Sequence, residues 1–180
     1  FGEFMLYPVK LFDGTGTRAL LTHMFLHGSV VHLLGNMYFL KIFGDNVEDR
    51  LGRFFFPLFY LACGAAAAFA HAAATRHSTI PMLGASGAIA GVLGAYLVFF
   101  PGTRISVVPG LLTLFRWLHL RAFWYLPFWF GWQVLQAYLF PGAPVAWFAH
   151  LGGFVAGLLL ALALKAVLPD ARLKALERRA

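Results

Sequence analysis

The stretch GASGAIAGVLGAY, residues 84–96, lies inside an apolar run at residues 80–100. A hydrocarbon core of about 30 Å takes about 20 helical residues, and this run is long enough. Glycines at 84, 87, 91 and 94 recur every three or four positions, so one helix face carries almost no side chain. Such a face lets a second backbone approach closely. Ser86 stands beside it. Taken alone, the serine fits a small-residue packing seam or a hydroxyl bonded to its own backbone equally well.

The rest of the chain extends the membrane reading. Of 180 residues, 61% are hydrophobic and 12% charged, whereas a soluble domain is about 45–50% apolar and about 25% charged. So few polar side chains cannot coat a water-exposed surface. The expected fold is an all-α, polytopic bundle of transmembrane helices. Five apolar segments are predicted to cross: 19–43, 54–74, 80–100, 123–140 and 145–164. Pro57 and Pro127, near the ends of two of them, mark helix starts or kinks. In the longest connection, LLTLFRWLHL at 111–120 suits a short amphipathic helix in the interface plane. The start carries no basic region ahead of an apolar core, as a signal peptide would, and it lacks Met, so a chain trimmed upstream is expected. One cysteine, Cys63, leaves neither an intrachain disulfide nor a cysteine-rich metal site.

Charge sets the orientation. Of the 14 Lys and Arg, only Lys10, Arg18 and Arg76 fall on the side that receives the N-terminal stretch and residues 75–79 and 141–144. The others, from Lys41 to the basic tail at 165–180, fall on the opposite side, which is therefore cytoplasmic. This asymmetry accounts for most of the net charge of +7 without nucleic acid and implies some attraction to anionic lipid.

With that orientation, three segments enter from the outer side carrying polar groups. Ser86 lies six residues into its segment, about 9 Å deep, and His150 five residues in, about 7–8 Å. His32 and Asn36 share a face of the first segment, one turn apart. These groups are predicted to meet at a common depth. A serine attacks a carbonyl only if something removes its proton, and histidine suits that near neutral pH. Asn36, His32 and the Ser86 backbone N–H can then donate to the oxyanion. Asp45, Glu48 and Asp49 lie on the wrong side to complete a triad, and Asp13 is on the right side but unplaced, so a Ser86–His150 dyad is expected. His23, His27 and His32 are too loosely spaced for a zinc site, and no metal or cofactor is expected. His71, His77 and His119 are expected to be solvated or structural.

Three stretches together resemble the rhomboid family of intramembrane serine proteases. In residues 17–52, His32 and Asn36 match the family's H-x-x-x-N, which contributes to the oxyanion hole. Gly84–Ala85–Ser86–Gly87 matches the nucleophile motif G-x-S-G. In AHLGGFVAG, residues 149–157, His150 matches the catalytic base and Gly153–Gly157 the helix-pairing G-x-x-x-G. The match runs in family order over nearly the whole chain. The resemblance implies a rhomboid-like domain over residues 1–180 with five of six core helices, the first being upstream, and residues 1–25 as the end of a membrane-dipping outer loop. It also implies an active endopeptidase that cleaves transmembrane proteins in or near their spans, with lateral entry near the segment at 123–140. Some members place an aromatic four residues after the serine, against the histidine; here Ala90 stands there, which withholds that support and removes no catalytic atom. Low polarity and the basic side fit a bacterial inner membrane, with an organelle membrane as the alternative. A silent helix-binding escort protein and a channel or transporter are the rivals; a transporter would carry a charged coupling group at depth, and no Asp or Glu lies inside any segment.

Overall fold

The computed structural model describes residues 2–107, 118–140 and 142–167. Helices dominate: α1 (Pro8–Phe12), α2 (Ala19–Thr22), α3 (Val30–Phe39), α4 (Asp45–Leu51), α5 (Phe55–Ala74), α6 (Ser86–Phe99), α7 (Ala122–Leu139) and α8 (Trp147–Val167). Two of them, α5 and α8, are long and apolar enough to cross a membrane by length and composition, while α6 is an apolar helix of 14 residues. Pro57 falls in the first turn of α5, where its missing N–H costs no helical bond; Pro127 lies inside α7.

The core is a packing of α6 on α8, backed by α5. It rests on missing side chains. A Cβ on Gly153 would fall on the carbonyl oxygen of Gly87, one on Gly157 on that of Gly91, and one on Gly94 on that of Phe154. Towards α5, Gly87 meets Ala67, Gly91 meets Cys63 and Gly152 meets Ala70. The bare face of residues 84–96 is therefore a docking surface, and it brings backbones into direct contact as small-residue seams do.

Three predicted elements differ. The segment at 19–43 is not one helix. It breaks after a 3-10 turn, His23–Phe25, because Ser29 takes an extended conformation and its hydroxyl caps a new start by accepting from the His32 N–H at 3.1 Å. The new helix then overruns the expected end: α3 continues through a π-helical turn, Leu40–Gly44, into α4, and stops at Gly52, whose φ is 90°. The segment at 80–100 is helical only from Ser86, because Met82 pairs with Leu6 through two backbone hydrogen bonds of 3.0 and 2.7 Å. The described ends of the connection after α6 pair as antiparallel strands, β1 (Arg104–Val107) with β2 (Leu118–Arg121), so residues 118–120 are not part of an amphipathic helix. Residues 111–117 of that prediction lie outside the described residues.

Candidate active site

The serine-bearing loop is held from three directions before α6 begins. Leu6 pairs with Met82, the Val9 N–H donates to the Ser78 carbonyl at 3.3 Å, and the Gly84 N–H donates to the His23 carbonyl at 2.9 Å. His23 is itself buried, and its Nδ1–H donates to the Ala19 carbonyl at 2.7 Å. Burial in this short N-terminal turn pushes the His23 pKa down, which suits a neutral structural imidazole. Gly84 has φ +123°, a backbone that only glycine adopts without strain. The chain then turns into α6 with Ser86 as its first residue. Ser86 is thus at a helix N-terminus and not six residues down a helix. Its own N–H has no intrahelical acceptor, and the positive end of the helix dipole lies beside it.

His150 sits in the first turn of α8, and the glycine seam carries it to the serine. Its Nε2 lies 2.8 Å from Ser86 Oγ. Its Nδ1 lies 2.7 Å from Oε1 of Gln133, on α7. The imidazole is flanked by the rings of Trp129, at 6.3 Å between centroids, and Trp147, at 6.1 Å and nearly perpendicular. These aromatics stand near the ring that Ala90 leaves unsupported. Asp13 caps α1 and is exposed; among the described residues no carboxylate bonds His150.

The oxyanion candidates come from α3. His32 and Asn36 both face the loop: a Cβ on Gly84 would lie 2.9 Å from His32 Nε2 and 3.9 Å from Asn36 Nδ2. The Gly28 N–H reaches His32 Nδ1 at 3.5 Å, which favours the tautomer that carries its proton on Nε2, towards the serine loop. Asn36 is 8% exposed, and its Nδ2 has no hydrogen-bond partner among the described residues. A buried amide donor left unsatisfied is costly and marks a place where an acceptor is received. Ser86, His150, His32, Asn36, Gln133 and Trp129 line one cavity of about 490 Å³. All four residues picked out in the sequence therefore meet.

His27 lies edge-on to His32 with ring centroids 5.2 Å apart, while His23 is engaged with Ala19. His71 is half-buried in α5, and His119 is exposed on β2. Gln133 was not foreseen. Hydropathy smooths over two glutamines in an aromatic helix, but spacing had the signal: Ala122, Leu126 and Gln133 are the buried side of α7, at intervals of four and seven. A polar residue on an inward stripe needs a partner.

The model of the Rhomboid domain matches residues 15–166. The chain belongs to the rhomboid family. Among relatives of this rhomboid, RHOMBOID-like protein 4 of Arabidopsis thaliana is 35% identical over 158 residues, 86% of this chain and 36% of that protein. RHOMBOID-like protein 6, mitochondrial, of the same plant is 35% identical over 88 residues, 49% of this chain and 28% of its own length. The human presenilin-associated rhomboid-like protein, mitochondrial, is 34% identical over 93 residues, 49% of this chain and 24% of its own. The rhomboid chain thus spans a minor part of each relative. Family and apolar helices together make it a membrane protein. Several relatives are designated mitochondrial, so the bacterial inner membrane expected from composition finds no support among them. Their names state no enzymatic activity.

Proposed function

We propose that this rhomboid is an intramembrane serine endopeptidase that hydrolyses peptide bonds in or near the transmembrane segments of other membrane proteins. The observation that carries the proposal is the 2.8 Å contact between Ser86 Oγ and His150 Nε2 in a cavity that also receives an Asn36 amide with no partner among the described residues. Ser86 Oγ attacks the scissile carbonyl carbon as its proton passes to His150 Nε2. The carbonyl oxygen becomes an oxyanion held by Asn36 Nδ2, His32 Nε2–H and the Ser86 N–H at the start of α6. Collapse breaks the C–N bond, the amine leaves with the proton from His150, and a water repeats the sequence on the acyl-enzyme.

The topology proposed with it has five crossings, with α3 through its π turn, α5, α6, α7 and α8 in the membrane and the active site towards the outer side. Lys165 donates to the Val98 carbonyl and Arg50 lies over the Phe99 ring, so basic residues gather at the end of α6 opposite Ser86. That separation supports a cytoplasmic basic end and an outer catalytic end. The partners are transmembrane substrates and lipid, not nucleic acid. Cleavage of a reporter membrane protein in liposomes tests the reaction. Ser86→Ala and His150→Ala should each abolish it, and the double variant should be hardly worse, as for residues acting on one step. Full cleavage by folded Ser86→Ala sinks the protease; biological activity in that variant without cleavage identifies an escort protein.

A further inference from the structure

We infer that Gln133 is the positioning residue of the catalytic base: its side-chain oxygen holds His150 in the one tautomer that can accept the serine proton, and so ties the base to α7. The inference rests on the protease reading above and deepens it.

A neutral imidazole carries one ring proton, and its two nitrogens then do opposite things. If the proton is on Nε2, that nitrogen can only donate to Ser86 Oγ and the serine keeps its hydrogen. If it is on Nδ1, Nε2 offers a lone pair to the hydroxyl. Something on the Nδ1 side must choose. Among the described residues nothing acidic does so: Nδ1 meets Oε1 of Gln133 at 2.7 Å, and an amide oxygen can only accept. The proton therefore sits on Nδ1 and the lone pair on Nε2 faces the Ser86 hydroxyl at 2.8 Å. The bond also fixes the plane of the ring, since Gln133 and Ser86 hold it at opposite nitrogens.

Three features indicate more than ordinary interhelical adhesion. Gln133 is 8% exposed and shares the inward stripe of α7 with Ala122 and Leu126, while Trp132, Val134 and Leu135 beside it are exposed. A buried amide on that stripe carries a desolvation cost that an apolar residue would avoid. It reaches the ring nitrogen opposite the serine. Trp129, one turn earlier on α7, lies against the same ring, so one helix supplies both the hydrogen bond and the packing. An uncharged acceptor differs from the acid of a triad in one respect: it orients the ring but places no full negative charge beside the imidazolium. Serine activation in this site accordingly depends on the seating of α7 and not on a carboxylate.

The test uses Gln133→Leu, close in volume without an acceptor, and Gln133→Glu, which restores one, in the full chain in detergent micelles. The first readout is nitrogen NMR of protein labelled at the histidine ring. The parent should show one His150 tautomer protonated at Nδ1, Gln133→Leu a mixture, and Gln133→Glu the single tautomer again. The second readout is turnover of a reporter membrane protein. Gln133→Leu should lose about 10²-fold in kcat with KM nearly unchanged, less than the roughly 10⁴-fold seen when a charged orienting acid is replaced and the wrong tautomer forms; Gln133→Glu should recover most of it. A purely adhesive Gln133 would lower the unfolding temperature of both variants and leave the tautomer alone. An unchanged tautomer in folded Gln133→Leu, or a parent protonated at Nε2, overturns the inference. Because the NMR readout needs no substrate, its outcome stands apart from that of the protease reading, which fails instead if the parent cleaves nothing.

Discussion

Adding one methyl group at Gly153 should separate Ser86 from His150 without touching either. A Cβ at this position falls on the Gly87 carbonyl oxygen, far inside contact distance. To relieve it, α8 must back away from α6 by more than an ångström. It cannot slide instead, because Gly157 rests on Gly91 one turn further along and Gly152 rests on Ala70 of α5. His150 is one turn before Gly153 and Ser86 is bonded to Gly87, so the separation passes into the 2.8 Å contact between Nε2 and Oγ. A hydrogen bond stretched beyond about 3.6 Å no longer functions as one, and a 1 Å misplacement costs about 10² in rate. Overpacking should also lower stability, by about 1–3 kcal/mol. The assay is reporter cleavage in liposomes with thermal unfolding of each variant in detergent. Gly131→Ala is the control, since no described residue lies within 4 Å of a Cβ there. Gly153→Ala that unfolds at a near-parental temperature and cleaves at the parental rate would refute the close-contact account.

Asn36→Ala should leave the protein folded and reduce turnover by about 10²–10³, the usual cost of one oxyanion donor; a smaller loss, in a rate assay with saturating substrate, would assign more of the charge to His32 and the Ser86 N–H. Gly84→Ala should impair the site more than the fold, because the residue has φ +123° and its new methyl would lie 2.8 Å from His32 Cε1; cleavage rates against unfolding temperatures check this. In a background without Cys63, cysteines placed at Thr79 and Ala143 should react with an impermeant thiol reagent from outside and one at Thr103 should not; the reverse pattern would overturn the orientation.

The parts of the fold visible in the sequence are those written in local spacing. Glycines at 87, 91 and 94 on one helix and at 153 and 157 on another announced a backbone seam, and the seam alone dictates that His150 reaches Ser86. The parts that escaped depend on partners distant in the chain. Hydropathy at 80–85 matches that of a helix, and the pairing of Met82 with Leu6 together with the Gly84 bond to His23 turns it into an extended approach. That approach puts Ser86 at the head of α6, a chemically better position than the predicted one, since it frees the backbone N–H. The break at Ser29 was closer to legible: a serine three residues before His32, ahead of an apolar run, is a capping signal that the continuous hydrophobicity of 19–43 concealed. Gln133 was hidden because two glutamines, Gln133 and Gln136, hardly move an average over an aromatic helix, although the register of Gln133 with Leu126 pointed inward.

The central claim is that Ser86 is an activated nucleophile and His150 the base that activates it. Covalent labelling of the folded protein with a serine-directed phosphonylating probe, followed by mapping of the modified residue, tests this most directly. The probe should attach to Ser86 alone, and the adduct should vanish in folded His150→Ala. Labelling of the parent at another serine, or undiminished labelling of Ser86 without His150, would contradict the account.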